Sequence, residues 1–74
     1  MRTEIQKVTE AMQYVVYHLS EYEEESLKRL SQGYLDRAWD LFDRGEATEY
    51  EALHIRDLGR IVCMILDSKK EIVF

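Results

Sequence analysis

The first 22 residues place apolar side chains at Met1, Ile5, Val8, Met12, Val15, Leu19 and Tyr22, with spacings of 4, 3, 4, 3, 4 and 3. A repeat that averages 3.5 residues puts all of them along one side of a helix, and no alternation of period two competes with it between residues 2 and 20. Ala11, Val16 and His18 flank this stripe and widen it to the face of a packed helix. The segment is therefore expected to be a helix that needs a cover.

Ser20-Glu21-Tyr22-Glu23 has the pattern of a capping box, and Glu21, Glu23, Glu24 and Glu25 crowd the place where a new helix would expose unpaired backbone N–H groups. The apolar phase shifts at the same point. Continuing the first stripe would use Ser26, Arg29 and Gly33, whereas the observed apolar series is Leu27, Leu30, Tyr34, Ala38 and Leu41. A second helix thus starts near residue 21, turned by about 100° relative to the first. Gly45 lies just beyond its last periodic residue and can adopt the left-handed conformation that closes a helix. Glu24 with Lys28, Glu25 with Arg29 and Asp40 with Arg44 put an acid one turn before a base, as on a solvated helix surface.

Thr48-Glu49-Tyr50-Glu51 repeats the capping pattern and opens a third helix. Ile55, Leu58, Val62, Ile65 and Leu66 extend its apolar face to about residue 70. The run Ile61 to Leu66 also suits a buried strand, with residues 67–70 as a turn and 71–74 as a returning strand. Taken as helix, Leu53 and Met64 fall on the side opposite the main face, so residues 61–66 are apolar all round and are expected to be covered on every side. The predicted fold is all-α: a small three-helix antiparallel bundle or hairpin in one domain, 1–74, with helices over about 2–20, 21–44 and 48–70. The alternative adds a C-terminal β-hairpin wing.

A chain of 74 residues hides only about 60% of the surface that its unfolded form exposes, which leaves a narrow margin of stability. A disulfide cannot supplement it, since Cys63 is the only cysteine. A second copy of the chain is the expected supplement, giving a homodimer held by Ile5, Val8, Met12, Val15, Leu19, Leu53, Val62, Met64 and Ile65. The longest apolar run has six residues, far short of the roughly 20 that span a bilayer, and the N-terminus lacks the apolar stretch of a secretory leader. A cytoplasmic location is expected. The formal charge of −5 argues against general affinity for nucleic acid.

Little reactive chemistry is legible. Glu51-Ala52-Leu53-His54 has the Glu-x-x-His spacing of carboxylate-bridged metal bundles, and a homodimer would supply it twice. The first stripe, however, carries no inward glutamate to complete such a site, so metal binding through Glu51 and His54 is a remote alternative. His18 borders an apolar face, and Cys63 sits in an apolar run as a small hydrophobe. Gly33, Gly45 and Gly59 never cluster as a phosphate cradle. No cofactor and no catalytic residue is expected, and the chain does not read as an enzyme.

Two capped helices joined through a glycine also have the outline of a helix-turn-helix or winged-helix DNA-binding regulator. Its recognition helix would present Glu49 and Glu51 to phosphates, which disfavours that alternative. Tyr14, Tyr17 and Trp39 lie at or beyond the edges of their apolar stripes, where interfaces concentrate aromatic side chains. With Glu21, Glu24 and Glu25 they form the expected contact set for an unidentified protein target. The function expected from sequence is that of a non-enzymatic protein-binding module, a small regulator or inhibitor.

Overall fold

The computed structural model describes residues 2–71, with side-chain surroundings to residue 68. Met1 of the first stripe, and residues 72–74 of the alternative returning strand, lie outside the described residues. The elements are α1 (Glu4–Tyr17), a 3-10 turn (Leu19–Glu21), α2 (Glu24–Asp43) and α3 (Glu49–Glu71). No strand occurs among the described residues, and Ile61 to Leu66 are helical, so the hairpin wing is not formed.

Local chemistry sets each boundary. At the start of α1, the Gln6 N–H donates to Thr3 Oγ1 at 3.3 Å and the Thr3 N–H donates to Gln6 Oε1 at 2.9 Å. The same reciprocal pair starts α3: the Glu51 N–H donates to Thr48 Oγ1 at 3.2 Å, and the Thr48 N–H donates to Glu51 Oε1 at 2.8 Å. The box expected at Ser20 is not made. Instead α1 ends at His18, whose φ of −128° leaves the helix, and the chain tightens into the 3-10 turn through Glu21 N–H to His18 O at 3.0 Å. Glu23 then caps α2 without a side-chain hydrogen bond, three residues later than the Ser20 cap that the pattern suggested. At the other end of α2, Gly45 has φ +76°, with Gly45 N–H to Phe42 O at 3.0 Å and Glu46 N–H to Leu41 O at 2.8 Å. These two bonds make the Schellman closure that the glycine foretold.

The three helices pack pairwise into an elongated bundle of 47 × 20 × 16 Å. Arg2, Gln6 and Thr9 at the start of α1 share a surface hollow with Tyr50, Glu51 and His54 at the start of α3, so these two helices run in the same direction. α2 runs the opposite way: Arg37, in its second half, reaches Glu4 at 3.5 Å, while Lys28 and Ser31, in its first half, lie beside Gly59 and Cys63. α2 and α3 thus form a hairpin packed along its length.

The core is one cluster of Ile5, Val8, Met12 and Val15 from α1, Leu27, Ala38 and Leu41 from α2, and Ala52, Ile55, Val62 and Leu66 from α3. Burying each large aliphatic side chain contributes about 1.5–3 kcal/mol. The α1 stripe therefore finds its cover inside one chain. Ile5, Val8, Met12, Val15 and Val62, assigned from sequence to a contact between copies, are core residues of the single chain. The correction is physical: α2 and α3 each offer a complementary face, which the spacing of α1 alone cannot reveal.

Candidate functional site

On α3 the buried residues Ala52, Ile55, Val62 and Leu66 define an inward face, and helical periodicity fixes what looks outward. Opposite them, in steps of 3, 4, 3, 4 and 3, stand Tyr50, Leu53, Asp57, Arg60, Met64 and Asp67, with Ile61 at the flank. Tyr50 is 86% exposed, Met64 67% and Ile61 42%. Leu53 is half-buried. Residues 61–66 are accordingly not covered on every side: Ile61, Cys63 and Met64 face solvent, because α1 and α2 both pack on the same side of α3. Isolated apolar side chains on a surface mean nothing, but a row of them on one stripe of a helix is what a docking face needs.

The aromatic and acidic residues chosen from sequence do not form one patch. Tyr14 stacks on His18, with ring centroids 3.9 Å apart and planes 16° from parallel. Its hydroxyl donates to Glu21 at 3.5 Å, and His18 Nδ1 lies 2.8 Å from the Tyr14 carbonyl oxygen. Tyr17 is 79% exposed beside them. This end of the molecule also holds Glu24, paired with Lys28 at 3.4 Å, and the exposed Glu25. Trp39 is elsewhere. It is half-buried against the core in the half of α2 that packs beside the start of α1, and it meets Phe42 edge-on at 5.6 Å. Trp39 is thus placed as a rim residue of the core, in the manner of an amphipathic aromatic covering an edge. Tyr22, half-buried near the same turn as Tyr14, has its hydroxyl pKa raised above 10.0 by loss of surrounding water, then by Tyr14, Glu21 and Tyr34.

Of the residues assigned to self-association, Leu19 and Ile65 are half-buried, and only Met64 stands fully on the surface. Glu51 is occupied as the cap of α3, and His54 is exposed on the wall of the hollow shared with α1. Among the described residues no three His, Cys, Asp or Glu side chains gather closely enough to share a metal ion. A groove between α2 and α3, about 330 Å³ in volume, is rimmed by Lys28, Arg56 and Arg60 and floored by Ser31, Leu35 and Gly59. The Ser31 hydroxyl is buried without a hydrogen-bond partner among the described residues. Among the described residues no helix is long and apolar enough to cross a membrane.

The sequence places Leu53 and Met64 on one side of this helix together with Asp57, Arg60 and Asp67, but its reading did not extend that heptad back to Tyr50 and expected the side to be covered. The 3-4 spacing was the signal that could have found it. Comparison with known proteins gives no match to a family model, a curated protein or a solved structure.

Proposed function

We propose that this chain is a non-enzymatic protein-binding module, a small regulator or inhibitor, and that it docks through the outward stripe of α3. The observation that carries the reading is that, among the described residues, the core closes on eleven hydrophobic residues from all three helices while Tyr50, Ile61 and Met64 remain uncovered. Leaving such side chains in water wastes burial free energy of about 25 cal/mol per Å² of apolar area, which a partner's surface would recover. Tyr17 and the acidic turn around Glu21 and Glu25 form a secondary contact region at the far end of α1.

A photo-crosslinking residue placed in turn at positions 64, 17 and 36 tests this in cells. Position 64 should give protein adducts of defined mass, position 17 fewer, and position 36, on the exposed surface of α2, none above background. Equal labelling at all three positions, or no adduct at position 64, would sink the reading.

A further inference from the structure

We infer that the outward stripe of α3 binds a second copy of the same helix in antiparallel orientation, about a two-fold axis level with the midpoint between Leu58 and Gly59. The inference rests on the reading of that stripe as a docking face and adds the identity of the partner. Its basis is the order of side chains along the heptad, Tyr50-Leu53-Asp57-Arg60-Met64-Asp67, which is self-complementary when reversed. In an antiparallel helix pair each residue of one heptad position lies level with the alternate position of the partner helix. Centred as stated, Leu53 meets Met64 of the second copy, Asp57 meets its Arg60, and the Tyr50 hydroxyl can donate to its Asp67 carboxylate. Two-fold symmetry then makes each of these contacts twice.

The other arrangements are worse on charge. A parallel pair would set Asp57 against Asp57, Arg60 against Arg60 and Asp67 against Asp67. An antiparallel pair shifted one heptad in one direction faces Asp57 with Asp67. Shifted in the other direction, it buries the Asp57 carboxylate on Leu53. Like charges placed face to face are strongly disfavoured, so charge selects both direction and register. The groups concerned are available: among the described residues Asp57 is ion-paired only with its neighbour Arg56, at 3.6 Å on the surface, and Arg60 has no ion-pair partner. The 20 residues from 49 to 68 overlap completely in this register, about 30 Å of helix, and all of them lie within α3. One of three layers is apolar, so the pair is expected at the weak end of specific interfaces and to depend on concentration.

Charge reversal in two separate chains tests it. D57R carries Arg at both positions and R60D carries Asp at both; each alone should be weakened as a homodimer by about tenfold or more in Kd. Mixed one to one, the two variants restore every Asp–Arg contact across the axis and should associate at least as well as the original chain. Sedimentation equilibrium from about 10 μM to 1 mM reads the masses, and circular dichroism confirms that both variants stay helical. Failure of the mixture to associate beyond either variant, or an original chain that is monomeric throughout, overturns the inference. In the second case, protein adducts of other mass at position 64 would leave the docking face standing with a different occupant, whereas their absence would remove both.

Discussion

Gly59 of α3 faces Ser31 of α2 so closely that a Cβ added to the glycine would stand 3.9 Å from the Cβ of the serine, an ordinary packing distance. Gly59 therefore lets the helices meet without being required by a clash. Replacing it by Ala should stabilise the fold by about 0.5–1 kcal/mol, since glycine inside a helix loses the most backbone freedom on folding. Ser31→Ala should be neutral or stabilising by up to about 1 kcal/mol, because it removes a buried hydroxyl that has no partner. Urea unfolding monitored by circular dichroism checks both. A loss above 1 kcal/mol in either variant would mean that the contact is tighter, or the hydroxyl better satisfied, than described.

The other two glycines should behave oppositely to each other. Gly33 is exposed in the middle of α2 with nothing within 4 Å of an added Cβ, so Gly33→Ala should raise stability by about 0.8–1 kcal/mol. Gly45 has open space too, but its φ of +76° is unfavourable for a side chain, and Gly45→Ala should lower stability by about 1 kcal/mol. In a domain of this size each shift moves Tm by roughly 4–8 °C, within reach of a thermal melt.

Helix starts supply a sharp contrast between residues that look alike in sequence. Thr48→Ala removes the oxygen that accepts from the Glu51 N–H and should cost about 1 kcal/mol. Ser20→Ala, at the box that does not form, should change stability by less than about 0.5 kcal/mol. Equal losses in the two unfolding curves would show that Ser20 caps α2 after all.

Burial separates the two sides of α3 in the same way. Ile55 is fully buried, and Ile55→Ala should cost about 2–5 kcal/mol, enough to unfold much of a marginal chain. Met64→Ala, measured at a concentration low enough to keep single chains, should cost less than about 0.5 kcal/mol. A large loss at Met64 under those conditions would place it in the core.

Tyr22 gives a pH signature. Its pKa is raised in the folded chain, so the folded form holds the phenolic proton more tightly than the unfolded form. The stability this confers is fully present below pH 10.0 and declines as pH rises through the raised value. Tyr22→Phe should flatten that alkaline decline, read as Tm against pH from 8 to 11. An unchanged slope would assign the decline to other groups.

Helix content was legible because periodicity and punctuation agreed: the stripe at Ile5, Val8, Met12 and Val15, the closure at Gly45 and the box at Thr48 all stand where the sequence placed them. The junction between α1 and α2 was less legible. Ser20 and Glu23 match a capping pattern, but the 3-10 turn at Leu19–Glu21 satisfies the backbone locally and moves the helix start to Glu24. Nothing in spacing says whether a stripe meets another part of its own chain or a second molecule, which is why core residues of α1 looked like contacts between copies. Trp39 was legible as a residue at the border of its stripe, but its seat over the edge of the core depends on where the other helices lie, which spacing does not give.

That α1 and α3 run together against a single α2 has an electrical consequence. Two of the three backbone dipoles add and one opposes them, so about half an elementary charge of each sign is left at opposite ends of the 47 Å axis. A solitary molecule should therefore turn in an applied field by virtue of its backbone alone, whereas two copies lying side by side in opposite directions across α3 would cancel that moment and feel no backbone torque.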